Sequence, residues 1–257
     1  MIEFFKFHGA GNDFIMIDNR LPVFQGDKIE FAKKICSRRF GVGSDGIIFM
    51  ENWSEGDFNM DFYNPDGSQS FCGNGSRCAV AFAKKLGMIE SKAKFLAVDG
   101  VHEAKIENEI FCIHMGDVES FARLEKDFII DTGSPHYIST VTNLENKDLL
   151  ATGRAVRFSD PFKEKGINVN LIEKDAERSF RIRTYERGVE DETLACGTGA
   201  TAAALAFAEE NDLADGRIEV KAMGGNLSVD YNREGNGFRN IWLNGPAVEV
   251  YKGEFNV

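Results

Sequence analysis

Apolar and polar residues alternate with a period of two along many short segments, among them residues 59–63, 181–185 and 226–230, and this pattern predicts half-buried strands. Only a few stretches read as helix. These are residues 28–39, 76–86, 147–158 and 200–210, mostly bounded by Gly, Asn or Asp. The interleaving is not a regular strand–helix–strand series, so the expected fold class is α+β with largely antiparallel or mixed sheets. Two of the helical stretches, over residues 78–83 and 200–208, are apolar nearly all the way round and must be covered on every side. The economical arrangement is a curled, barrel-like mixed sheet wrapped around a central helix, built twice.

The chain itself reads as a duplication. Cys72-Gly73-Asn74-Gly75-Ser76 and Cys196-Gly197-Thr198-Gly199-Ala200 each put a cysteine before a Gly-x-Gly turn that opens into a small-residue helix. Upstream of each, an alternating stretch runs to a tyrosine, Tyr63 or Tyr185, followed by a polar, glycine-containing loop. Two pseudo-symmetric domains are expected, residues 1–117 and 118–246, with the active site in the cleft between them.

Composition narrows the function. Thirty Lys and Arg against 41 Asp and Glu give a net charge of −11, and no basic run is present to track a phosphate backbone, so nucleic acid is not an expected partner. The opening residues carry Glu3, Lys6 and Asp13 rather than an apolar signal core, and no stretch approaches the roughly 18 apolar residues of a membrane span. Five cysteines, an odd number without CxxC spacing, fit a reducing, cytoplasmic compartment better than a disulfide scaffold. Four scattered histidines offer no metal-binding spacing, so no metal is expected.

A thiol at a helix N-terminus sees unpaired N–H groups and the positive end of the helix dipole, both of which favour thiolate. Glycines at 73, 75, 197 and 199 let backbone N–H groups approach an anionic group such as a carboxylate. A structural Cys72–Cys196 disulfide and a single nucleophilic cysteine are alternatives. Composition disfavours the first, and the second explains one thiol where the duplication supplies two. The chemistry that needs two equivalent acid/base groups is stereoinversion, in which one thiolate removes an α-proton and the other thiol delivers a proton to the opposite face.

The chain resembles the diaminopimelate epimerases along its whole length. The residues that carry the resemblance are His8-Gly9-Ala10-Gly11-Asn12-Asp13-Phe14, Gly41-Val42-Gly43-Ser44-Asp45-Gly46, Asn64-Pro65-Asp66-Gly67-Ser68, Gly133-Ser134-Pro135-His136, Gly166-Ile167-Asn168-Val169-Asn170 and Tyr185-Glu186-Arg187-Gly188, together with the two cysteine motifs. The resemblance implies a cofactor-independent enzyme that interconverts LL- and meso-diaminopimelate, with Cys72 and Cys196 as the acid/base pair. It implies that the reacting carboxylate sits on the amides of Gly73, Asn74, Gly197 and Thr198, that Asn12, Asn64, Asn168, Glu186 and Arg187 grip the rest of the substrate, and that His136 and Glu186 tune the thiols. It implies further that the last strand, within residues 247–257, crosses back to the first domain, and that the protein forms a homodimer. Two departures stand out: many members carry glutamine where Gly46 stands and asparagine where Ser134 stands. Racemisation of another amino acid on the same fold, a non-catalytic amino-acid-binding module and a thiol redox sensor are the competing readings.

Overall fold

The computed structural model describes residues 1–256. The chain divides into two compact units, one formed by Met1–Ile113 with Gly245–Val257 and the other by His114–Asn244. The sequence reading put these joints at 117/118 and 246/247.

In the first unit, β1 (Ile2–Gly9), β2 (Asn12–Asp18), α1 (Lys28–Ile35), β3 (Gly46–Glu51), β4 (Phe58–Tyr63), α2 (Gly73–Lys85), β5 (Lys92–Ala97), β6 (Gly100–Glu107) and β7 (Ile110–His114) follow in order. In the second come β8 (Ala122–Leu124), β9 (Asp127–Asp131), β10 (Pro135–Thr140), a 3-10 turn, α3 (Leu149–Arg157), β11 (Asn168–Ala176), β12 (Ser179–Glu186), β13 (Asp191–Thr193), α4 (Gly197–Glu210), β14 (Gly216–Ala222), β15 (Gly225–Glu234) and β16 (Gly237–Gly245). The last strand, β17 (Val248–Phe255), runs antiparallel to β1 and so belongs to the first unit.

The duplication is visible in the pairings. From β17 through β1 to β7 the neighbours run antiparallel, antiparallel, parallel, antiparallel, parallel, antiparallel and antiparallel. From β8 through β12 and on to β14, β15 and β16 the same order recurs, with β13 added beside β12. A parallel neighbour requires a crossover, and each crossover here carries a helix. α1 and α3 make the first crossover of their units, α2 and α4 the second.

The second-crossover helices are the central ones. α2 packs against β1, β2, β3 and β4, and its residues from Gly73 to Ala83 are all buried. α4 packs against β9, β10, β11, β14 and β15, and is buried from Gly199 to Ala208. Phe82 of α2 meets Phe5 and Phe7, and Phe207 of α4 meets Phe180, so each helix anchors one large ring in its own sheet. The opposite sheet face is covered too. Phe31, Ala32 and Ile35 of α1 cluster with Ile15, Ile17, Ile47 and Phe49, while Leu149 of α3 clusters with Val169, Leu171 and Tyr185. Strands covered on both faces lose their alternation, which is why β2 and β3 read as continuous apolar runs.

Helix boundaries shift from the sequence expectation for local reasons. α1 ends at Ile35, four residues early, because the chain turns back beneath it: the Gly43 N–H donates to the Ile35 carbonyl at 3.0 Å, and a Cβ on Gly41 would lie 2.4 Å from that oxygen. α2 and α4 begin three residues early, at Gly73 and Gly197. Glycine is a poor helix former, but each helix is started by the cysteine before it, whose carbonyl accepts from Ser76 N–H or Ala200 N–H at 2.8 Å.

Candidate active site

Cys72 is the N-cap of α2, with extended backbone (φ −135°, ψ 106°), and its half-buried Sγ accepts the Gly75 N–H at 3.4 Å. The same sulfur lies 3.7 Å from Asn12 Oδ1. Asn12 is oriented by Asp45, whose Oδ2 accepts its Nδ2–H at 2.7 Å, so Oδ1 is the atom left facing Cys72 and Asn74. The sulfur therefore has an N–H donor on one side, which favours thiolate, and an amide oxygen on the other, which accepts only from thiol. Asn74 is in turn set by Arg77, whose Nη2 donates to its Oδ1 at 2.7 Å. That guanidinium is completely buried and also donates to the Gly73 and Pro246 carbonyls, tying the first turn of α2 to the segment before β17. Beneath Asn12, burial pushes the Asp13 carboxyl up, but ion pairs with Arg38 and Lys6, each at 2.6 Å, more than offset this and hold it at about 2.

Cys196 is the N-cap of α4 in the same extended conformation (φ −112°, ψ 118°) and is half-buried. Its Sγ lies 3.5 Å from Thr198 Oγ1, which lies 2.9 Å from His136 Nε2. His136, on β10, is fully buried. Burial drives its pKa down to about 3, the Arg187 charge adding in the same direction, so the ring is neutral at neutral pH. Its contact to Cys196 runs through the threonine hydroxyl.

A second cluster in the same unit joins Asn168, Arg187 and Ser134. Asn168 Oδ1 accepts the Arg187 backbone N–H at 2.8 Å while its Nδ2 donates to Ser134 Oγ at 3.0 Å, and the exposed Arg187 guanidinium rests on the Lys165 carbonyl and on Ser134 Oγ. Ser134 is thus the acceptor that holds this pair. Glu186 closes β12, half-buried, with its carbonyl accepting the Glu190 N–H at 2.8 Å. Two acids of the following segment are matched by arginines: Glu192 with Arg183, and Glu190 with Arg157 and the Tyr185 hydroxyl. In the first unit Asn64 holds its own turn, donating to Ser68 and Ser70.

A Cβ on Gly46 would sit 2.3 Å from the Phe62 ring, so the packing at this position favours glycine. Three residues given no role in the sequence reading also shape the sites: Asp45 orients Asn12, Asn170 contacts His136, and Thr184 contacts Asn170. Asn170 carried a readable signal, since it follows Asn168 by two along one strand and so shares its face.

The duplicated α+β fold recurs among solved structures. A PhzF-family phenazine biosynthesis protein from Bacillus anthracis superposes with a TM-score of 0.76 over 100% of this chain and 99% of its own, at 15% identity. A probable proline racemase from Agrobacterium radiobacter K84 gives 0.73 over 100% and 93%, at 13% identity. At such identities these likenesses speak for the fold. The family follows from sequence: the diaminopimelate epimerase family model matches residues 4–120 and 128–250, and the chain belongs to that family. The diaminopimelate epimerase of Flavobacterium psychrophilum is 46% identical over 98% of this chain and 99% of its own, and that of Aquifex aeolicus is 35% identical over 99% and 98%.

Proposed function

We propose that the protein is a cofactor-independent epimerase that interconverts LL- and meso-diaminopimelate by moving a proton between Cα and two cysteines. The observation that carries the reading is the repeated geometry: in each unit a half-buried cysteine caps a central helix that begins with glycine. One thiolate takes the α-proton, the opposing thiol gives one to the other face, and the pair exchanges roles with each turnover. The main obstacle is the weak acidity of the α-proton. N–H groups of the first helical turns, at Gly73, Asn74, Gly197 and Thr198, are suited to stabilise the negative charge that develops on the substrate carboxylate.

Arg187 supplies a fork for the distal carboxylate, and Asn12, Asn64, Asn168 and Glu186 the polar contacts to the amino groups and the remaining oxygens. His136 and Glu186 tune the thiols. Neither cofactor nor metal takes part. No helix among the described residues is long and apolar enough to cross a membrane. A cytoplasmic homodimer serving lysine and peptidoglycan-precursor synthesis completes the reading. Incubation of the reduced protein with LL-diaminopimelate, followed by separation of stereoisomers, tests it. Wild type should reach an LL/meso mixture, and Cys72→Ala and Cys196→Ala should each leave the LL isomer unchanged. A reduced, folded wild type that leaves LL-diaminopimelate untouched would overturn it.

A further inference from the structure

The hydrogen-bond chain that ends on Cys196 has a direction that its buried end dictates. The Tyr137 backbone carbonyl can only accept, so the Asn170 atom 3.2 Å from it is the amide nitrogen, and Thr184 Oγ1 donates to the amide oxygen at 2.9 Å. The amide has two hydrogens. One goes to Tyr137 and the other points at His136 Nδ1, 3.1 Å away. Nδ1 is thereby an acceptor, and a neutral buried imidazole must then carry its single proton on Nε2. The other tautomer would set two N–H groups against each other. From Nε2 the proton points to Thr198 Oγ1 at 2.9 Å, which leaves the one hydroxyl proton of Thr198 to face Cys196 Sγ at 3.5 Å.

The geometry points to Asn170 and Thr184 as positioning residues that lock His136 in its Nε2–H tautomer, so that Thr198 donates to the Cys196 sulfur and favours its thiolate. This rests on the proposed function for its purpose, while the polarity stands on the contacts alone. Asn170 pairs directly with Thr184 across β11 and β12, so the lock lies in a sheet rather than a loop. Its packing is tight: a Cβ on Gly199 would come 2.7 Å from Asn170 Oδ1 and 3.2 Å from His136 Cε1. The charged group acting on the ring is Arg187, whose positive charge opposes protonation. A donor on the sulfur stabilises the charged form and an acceptor the neutral one.

Two readouts that need no substrate test it. In histidine-labelled protein, 15N NMR should show His136 protonated at Nε2, with the assignment made from His136→Gln. In a Cys72→Ala background, the iodoacetamide reactivity of Cys196 near neutral pH should fall roughly 3- to 10-fold in Thr198→Val, equivalent to about half to one pKa unit, and recover in Thr198→Ser. Asn170→Leu should lower it as well and populate the Nδ1–H tautomer. Should Asn170→Leu fail to fold, Thr184→Val, which frees the amide oxygen, takes its place. Protonation of wild-type His136 at Nδ1, or reactivity unchanged in Thr198→Val and in the Asn170 or Thr184 variant, would overturn the inference. Loss of epimerisation with both readouts as expected would count against the proposed function and leave the lock standing.

Discussion

Gly75 and Gly199 hold equivalent places in the two cysteine motifs, yet alanine should have opposite consequences at the two sites. Both lie in the first turn of a central helix, where alanine is allowed by the backbone and favoured over glycine by up to about 1 kcal/mol. Around Gly75 the nearest atoms to an added Cβ are side-chain ends, Met60 Cε at 3.2 Å, Ile48 Cδ1 at 3.4 Å and the edge of the Phe14 ring at 3.4 Å. A shift of a few tenths of an ångström accommodates it. Around Gly199 the same Cβ would lie 2.7 Å from Asn170 Oδ1, which Thr184 holds at 2.9 Å, and 3.2 Å from the fully buried His136 ring. Overpacking of this kind costs about 1–3 kcal/mol. The helix preference acts alike at both sites, so Gly75→Ala should be neutral or gain up to about 1 kcal/mol, and Gly199→Ala should be about 1–3 kcal/mol less stable than Gly75→Ala. Urea denaturation reads the difference directly, and thermal melts should separate the two variants by several degrees, at about 2–4 °C per kcal/mol for a chain of this size. A Gly199→Ala protein as stable as Gly75→Ala would refute the reasoning, because it would mean that the Asn170–His136 packing yields freely.

Arg77→Ala should cost roughly 2–5 kcal/mol in urea unfolding, since it removes a wholly buried side chain together with its hydrogen bonds to Asn74 Oδ1 and the Pro246 carbonyl. Asp13, held at about 2 against its usual 3.8, stabilises the fold by about 2 kcal/mol above the unfolded pKa, and this is lost as pH falls through about 2. The stability of Asp13→Asn should therefore decline less steeply between pH 4 and 2 than that of wild type. Iodoacetamide applied to the native protein should label Cys72 and Cys196 and spare Cys36, Cys78 and Cys112, which are buried, with burial raising the pKa of Cys36 and Cys78; peptide mapping checks this.

What could be read from the sequence divides along the range of the interactions. The central helices were legible because residues 78–83 and 200–208 leave no polar face, and only a surrounding sheet can cover such helices. Their first turns were not, because Gly73 and Gly197 look like loop until the cysteine cap is seen. The early end of α1 depends on Gly43 folding back onto Ile35, a contact that no local pattern announces. The same holds for the sites. Both cysteines stand out through repetition, whereas Asp45 beneath Asn12 and Thr184 beside Asn170 act through strand register: Thr184 reaches Asn170 because β12 runs antiparallel to β11 in one particular alignment. Gly46 shows the reverse case, where the family pattern marks a departure and the Phe62 ring supplies a packing reason for glycine.

The most direct test of the central claim, proton transfer by two opposed thiols, is proton NMR of LL-diaminopimelate turned over by the reduced protein in D2O. The account predicts that the meso isomer carries solvent deuterium at the inverted carbon from its first appearance, while unreacted LL substrate remains protonated, and that Cys72→Ala and Cys196→Ala each abolish inversion. Meso product formed with its original proton, or inversion that survives the loss of either cysteine, would contradict it.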